Sequence, residues 1–259
     1  MRLAHVSDLH LVEHEDGAGA SPLAVARAIA EDIAAIRDAL DLVVVSGDLT
    51  DRAEPAAFAA FEDIFAAIGL PLITIPGNHD GPAGMHAYTA TSDRFAGWHI
   101  TNRVVEHGAL RFLGLDSCLQ DTTEGALDQD ALDILEAEVT RRDAPPLVIV
   151  MHHPPLLLGL KRFDGFCELE GHDRLMGILR AADAPITVLS GHVHRPYTVQ
   201  EGRITCHVAG SMVAPYDSPL PFGDSPIRPT TPQDFYYIHD IEPGGAHVVT
   251  PQRVRGLAP

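Results

Sequence analysis

Lysine is almost missing from this chain: of 18 basic side chains only Lys161 is a lysine, against 36 acidic ones, and the formal charge is −18. So negative a balance argues against a surface for nucleic-acid polymers, which rests on basic patches. Cysteine is scarce too. Cys118, Cys167 and Cys206 are widely spaced with no CxxC pair, so neither a disulfide framework nor a thiolate zinc site is expected, and free thiols are. No uninterrupted apolar run approaches the roughly 20 residues that span a bilayer, and no membrane partner is expected. The first apolar stretch starts at Arg2 and already ends in Asp8 and His10. No signal peptide is read there, and a cytoplasmic location is the expectation.

What is present is an ordinary globular composition, 46% hydrophobic and 21% charged over 259 residues, enough to bury an ample core. No internal repeat and no separating linker is found. The expected organisation is a single domain over residues 1–259, with 209–259 as a C-terminal lid and strand extension.

Short apolar runs at Leu3–Val6, Leu42–Val45, Leu70–Ile75, Leu147–Met151 and Ile186–Leu189 have the length and Val/Ile/Leu content of strands buried on both faces. Helical spacing lies between them, over Leu23–Leu40, Pro55–Ile68, Asp128–Arg142 and Asp173–Ala182. That alternation predicts an α/β domain. Strands are also predicted at 103–107 and 110–115, around Gly108, and within 196–208 and 234–250. The Pro-rich stretch Pro215–Pro232 reads as a long loop, either a surface connection or a lid or subunit contact.

Polar clusters close the five apolar runs: Ser7-Asp8-Leu9-His10, Gly47-Asp48-Leu49-Thr50-Asp51, Gly77-Asn78-His79-Asp80, His152-His153-Pro154 and Gly191-His192-Val193-His194. Carboxyl ends of strands in α/β sheets line the ligand crevice, so five separated segments are expected to converge. Asp, His and Asn without Cys suit Mn, Fe, Zn or Co. Glycines at 47, 77 and 191 allow sharp turns and close backbone approach. A single Asp-x-His is more often incidental than a ligand pair. Five such clusters, each closing a strand, point jointly to a metal site that would also offset the carboxylates beside an anionic substrate.

This ordered set resembles the calcineurin-like metallophosphoesterases, whose pattern is D-x-H, G-D-x-x-D, G-N-H-D/E, a later His, and G-H-x-H. Within that superfamily His152-His153-Pro154-Pro155, the Leu-rich loop after it and the compact length are similar to class III cyclic-nucleotide phosphodiesterases and related glycerophosphodiesterases. The resemblance implies a four-layer sandwich of two mixed β-sheets flanked by helices. It implies two divalent metal ions, one held by Asp8, His10, Asp48 and His194, the other by Asp48, Asn78, His152 and His192, with Asp48 bridging. It further implies attack on phosphorus by a metal-bound hydroxide, with His79 beside the phosphate as acid or stabiliser and Asn78, His79 and His194 against the substrate.

The expected activity is hydrolysis of small phosphodiesters, a cyclic nucleotide or a glycerophosphodiester. A phosphomonoesterase or nucleotide pyrophosphatase with the same metals is the alternative, and a scaffold that has lost catalysis is a further one. A homo-oligomer is possible by analogy with relatives. Leu156–Gly171, with Arg162, Phe163 and Phe166, is either a substrate contact or a packed surface loop. Asp51 is expected to cap the helix that begins near Glu54 and Pro55. Asp80 and His153 are expected to orient ligands, and His172 and His207 are the other histidines to test for closeness to the pocket.

Overall fold

In the computed structural model, residues 1–14, 21–159, 164–167, 169–217, 228–230, 233–244 and 246–257 are described. The chain opens with β1 (Arg2–Val6), α1 (Pro22–Ala35), β2 (Leu42–Val45), α2 (Pro55–Ala66) and β3 (Leu72–Thr74). Two short helices follow, α3 (Pro82–Thr89) and α4 (Asp93–Trp98), then β4 (Arg103–His107), β5 (Leu110–Leu115), β6 (Gly125–Ala126) and α5 (Gln129–Val139). The second half has β7 (Leu147–Met151), β8 (Leu169–Glu170), α6 (His172–Arg180), β9 (Ile186–Ser190), β10 (Tyr197–Glu201) and β11 (Ile204–Val208). It ends with β12 (Tyr216–Asp217), β13 (Arg228–Pro229), β14 (Phe235–Ile241) and β15 (His247–Arg253).

Two large mixed sheets result. One has the order β15-β14-β1-β2-β3, the other β10-β11-β9-β7-β5-β4. β1, β2 and β3 run parallel, as do β5, β7, β9 and β11, while β14, β15, β4 and β10 are antiparallel additions. Strand periodicity assigns each residue of an apolar run to one face. Ala4, Val6, Val43 and Val45 pack with α1 and α2 on one outer side. Leu113, Ile149, Met151 and Val188 pack with α5 and α6 on the other. Leu3, Leu42, Val44, Phe112, Val148, Val150 and Leu189 meet between the sheets. Helix, sheet, sheet and helix make four layers, and the five expected strands are buried on both faces because both faces are covered.

Helix starts follow local chemistry. Ser21 Oγ accepts from Ala24 N–H with Pro22 at the first helical position, and Asp128 accepts from Ala131 N–H. The strands expected at 103–107 and 110–115 form β4 and β5. α3 and α4 have no counterpart in the sequence reading. Of their 14 residues only Met85 and Phe95 are buried, so neither shows an apolar stripe.

Residues from 209 onward enter the first sheet through β14, which pairs with β1, and through β15 at its edge. Most of Pro215–Pro232 lies outside the described residues, as do Arg162, Phe163 and the side chain of Phe166. Among the described residues no helix is long and apolar enough to cross a membrane.

Candidate metal centre

The loops leaving β1, β2, β3, β7 and β9 meet at one end of the sandwich. Backbone bonds knit them first. Asp8 N–H donates to Gly47 O at 3.1 Å, Leu9 and His10 N–H to Asp48 O at 2.8 and 3.0 Å, and Gly191 N–H to His152 O at 3.1 Å. Asp8, His10, Asp48, His192 and His194 all have left-handed backbone, with φ of 56°, 48°, 51°, 74° and 53°. Non-glycine residues seldom adopt this conformation, and it collects at functional sites. It turns alternate side chains inward just past each strand.

Two of the glycines are required by proximity. A Cβ on Gly77 would collide with Asp48 Oδ1, and one on Gly191 would collide with Ser7 Oγ and lie 2.5 Å from Asp8 Oδ2. Asp8 in turn accepts from His192 N–H at 3.0 Å.

All eight residues expected in the site are brought together. One ligand atom from each of Asp8, His10, Asp48 and His194 lies within 4.8 Å of the others, and all four residues are buried. His10 Nε2 and His194 Nε2 are 2.9 Å apart. Their Nδ1 atoms are engaged elsewhere, His10 with Asp51 Oδ1 at 3.3 Å and His194 with Ala214 O at 2.7 Å. Because those Nδ1–H groups donate, two Nε2 lone pairs face each other, flanked by Asp48 Oδ2 at 3.6 Å from His10 and Asp8 Oδ1 at 3.5 Å from His194. A cation satisfies that arrangement.

A second acceptor group adjoins it. His152 donates through Nδ1 to Ser46 O at 2.9 Å, and its Nε2 lies 3.1 Å from Asn78 Oδ1 and 3.3 Å from Asp48 Oδ2. His192 Nδ1 lies 3.0 Å from the same Asn78 oxygen. Asp48 Oδ2 touches both groups. His10, His194 and His152 are each tied through the other ring nitrogen, as metal-binding histidines are oriented.

The field at this end favours positive charge. Burial alone would raise the Asp48 carboxyl, but the imidazoles of His152, His10 and His79 outweigh it and hold the group well below the ordinary carboxylate range. Burial likewise opposes protonation of His152, yet Asp48 lifts it to about 9. The neighbouring carboxylate of Asp80 is pushed up to about 6 by burial and then by Asp48.

Asp51 does not cap α2. The helix follows Glu54, which makes no side-chain cap hydrogen bond, and starts with Pro55 at its first position. Asp51 Oδ1 instead stands 3.3 Å from both His10 Nδ1 and His79 Nδ1. Its backbone oxygen accepts from His79 Nδ1 at 3.0 Å. It fixes one expected ligand and the expected acid.

Asp80 is buried and accepts from Leu49, Thr50 and Gly77 N–H and from Thr50 Oγ1, at 2.8–3.0 Å, so it joins the β2 and β3 loops. His153 donates to Thr123 O at 3.1 Å and pairs with Ser117 Oγ at 2.8 Å, holding the 117–126 loop against the site. An open cleft of about 440 Å³ lies over Asn78 and His79, lined also by Asp51, Arg52, Gln120 and Thr122. His172 lines a different cleft with Gly125 and Leu157 and bonds Pro155 O at 2.9 Å. His207 joins another histidine group altogether.

The sequence reading missed Tyr216, whose ring stacks on His194 with centroids 5.1 Å apart. It also missed Ser211, whose hydroxyl donates to Asp8 O at 2.8 Å. Neither falls in a strand-end cluster.

Comparison with known proteins gives the same family reading. The profile of the calcineurin-like phosphoesterase family matches residues 1–196. A probable cyclic nucleotide phosphodiesterase from Synechococcus sp. is 30% identical over 224 residues, 86% of this chain and 85% of that one. A probable glycerophosphodiester phosphodiesterase, GpdQ, from Arcobacter nitrofigilis is 28% identical over 171 residues, 66% of this chain and 63% of that one. The crystal structure of a dimetal phosphatase from Danio rerio superposes with a TM-score of 0.66 at 12% identity, covering 96% of this chain and 98% of the other. At that identity the likeness concerns the fold.

Proposed function

Because the chain belongs to the calcineurin-like phosphoesterases, a family of metal-dependent phosphoesterases, we propose that it hydrolyses small phosphodiesters at a centre of two divalent cations. The observation that carries this reading is the contact of Asp48 Oδ2 with two adjoining acceptor groups at once. Asp8, His10 and His194 would hold one ion with Asp48. Asn78, His152 and His192 would hold the other with it. The mixed carboxylate, amide and imidazole set suits Mn, Fe, Zn or Co. When bound, such a pair supplies Lewis-acid polarisation of the phosphoryl group and water activation at neutral pH.

The protein's own groups do the rest. The Asp48 side chain accepts from His79 N–H at 2.9 Å, which sets the position of His79 from the bridging residue itself. His79 Nδ1 is held by Asp51, leaving Nε2 for the cleft. The Asp51 carboxylate beside it raises this imidazole to about 9. A charged His79 can stabilise negative charge growing on the phosphoryl group or give its proton to the leaving oxygen. Arg52 adds a guanidinium at the rim, 3.3 Å from Asp51.

A cleft of this size suits a small diester, and the relatives named for cyclic nucleotides and glycerophosphodiesters favour a diester over a monoester. The test is turnover of a chromogenic phosphodiester and its matching monoester by metal-stripped protein refilled with Mn. Faster diester turnover, abolished by chelation, is expected. Preference for the monoester places the chain with phosphatases instead, and two bound metals with no turnover of either removes the catalytic reading for these substrates.

A further inference from the structure

A second group of histidines lies away from the strand-end loops and shares no residue with them. His207 is on β11 of one sheet, while His239 and His247 are on β14 and β15 of the other. Register places them on facing surfaces. His239 pairs with Leu3 and His247 with Ile241, both inter-sheet residues. His207 pairs with Leu189, another inter-sheet residue. The imidazoles therefore enter the seam from both sides. Ring centroids are 5.0 Å apart for His207 and His239, 4.8 Å for His207 and His247, and 5.2 Å for His239 and His247.

The hydrogen bonding of this group is incomplete. His239 Nδ1 and His247 Nε2 face each other at 2.9 Å, so at most one proton lies between two nitrogens. His207 Nδ1 is taken by Thr198 Oγ1 at 3.0 Å, leaving Nε2 as its free nitrogen. Among the described residues neither His207 Nε2 nor His239 Nε2 has a hydrogen-bond partner, and both are buried. His239 is fully buried, with His5 behind it at a centroid distance of 5.4 Å. A seam needing only to fill space is served better by Leu or Phe than by polar rings without partners.

We propose that His207, His239 and His247 bind one zinc-class transition-metal ion that ties the C-terminal hairpin of one sheet to β11 of the other. One ring nitrogen from each lies within 4.8 Å of the others. Tetrahedral coordination at 2.0–2.1 Å needs ligand separations of about 3.4 Å. No gap therefore has to close by more than about 1.4 Å, within reach of small imidazole rotations. Burial, and after it His247, lowers His207 to about 4, so the ring is already neutral as a metal ligand must be. Three imidazoles without carboxylate favour Zn, Ni, Cu or Co over Mg or Mn. His247 is only partly buried, so water can complete the coordination.

The experiment uses full-length chain, stripped by chelator and then dialysed against zinc alone, with metal content read by mass spectrometry. His247→Gln is expected to hold one zinc fewer per chain than the unaltered protein while phosphoester turnover stays the same. Asp48→Ala is expected to keep one zinc, and adding His247→Gln to remove it. Cobalt substitution of the Asp48→Ala protein should give a visible tetrahedral absorption band that disappears in the double variant. Equal zinc contents with and without His247→Gln overturn the proposal. So does an Asp48→Ala protein that binds none, and loss of turnover in step with the zinc removes the separateness of the site.

Discussion

The prediction that most directly tests the construction of the centre is Gly191→Ala. Its backbone is outside the left-handed region, so alanine is conformationally permitted and only space opposes it. The added Cβ would overlap Ser7 Oγ and lie 2.5 Å from Asp8 Oδ2, whereas ordinary contact begins near 3.4 Å. Asp8 must then retreat by about 0.9 Å or the Gly191 loop must lift. Either movement breaks the bond from His192 N–H to the Asp8 carboxylate. Overpacking costs about 1–3 kcal/mol, and a hydrogen bond to a charged group contributes about 1.5–3 kcal/mol, so a loss of about 2.5–6 kcal/mol is expected in urea unfolding. Displacing one ligand by nearly 1 Å should lower turnover on the order of 100-fold. The control is Gly177→Ala in α6, where a Cβ meets nothing within 4 Å. That change should stabilise by about 0.5–1 kcal/mol with full activity. A Gly191→Ala protein with metal content and turnover within twofold of the original would refute the argument, because the same Cβ could not then be displacing Asp8.

Three further outcomes are expected. Asp48→Ala should lose the two ions of the strand-end centre and activity together, since both acceptor groups touch its Oδ2; retention of both by metal analysis in a His247→Gln background rules out the bridging role. His79→Ala should keep both ions and lose about 10²–10⁴ in kcat for an alkyl leaving group, and less for nitrophenolate, which leaves without a proton; equal losses for the two substrates exclude proton donation. His207 is lowered to about 4 by burial and by His247. Its stabilising contribution is full above the unfolded value near 6.5 and is lost as pH falls from there toward 4. Between pH 7.5 and 5.5 the metal-free protein should therefore lose about 1.3 kcal/mol more than His207→Gln, measured by urea unfolding at the two pH values; parallel losses mean that His207 is not held neutral.

The fold was legible where one physical cause dominates. Five apolar runs could only be strands covered on both sides, and each carried its chemistry immediately after its last residue, so strand and ligand loop were read together. α3 and α4 were not legible because their few core contacts leave no periodic stripe. Asp51 was misread for a different reason. Local sequence offered it a helix to cap, whereas its carboxylate is used by His10 and His79, 41 residues before it and 28 after. Tyr216, Ser211 and the histidine seam share that difficulty. His207 and His239 are joined across two sheets, and nothing near either residue in the chain announces the other.

Left-handed backbone at five expected ligands gives the centre an energetic signature separable from its chemistry. For an L-residue this conformation costs about 1–2 kcal/mol, and five of them approach the whole stability of an ordinary domain. The strand-end bonds of Asp8, Leu9 and His10 to the β2 loop hold the strained positions in place. Asp48 allows strain and ligand loss to be separated, because Asp48→Ala and Asp48→Gly both delete the carboxylate but only glycine tolerates φ of 51° without penalty. Glycine loses more chain entropy on folding, by roughly 0.5–1 kcal/mol. If strain is stored at this position, metal-free Asp48→Gly should nonetheless equal or exceed Asp48→Ala by up to about 1 kcal/mol in urea unfolding, while both are inactive. An Asp48→Ala protein more stable than Asp48→Gly by the full entropic difference would mean that the surrounding bonds relax the loop once the carboxylate is gone, and that the conformation follows from the ligand instead of presenting it.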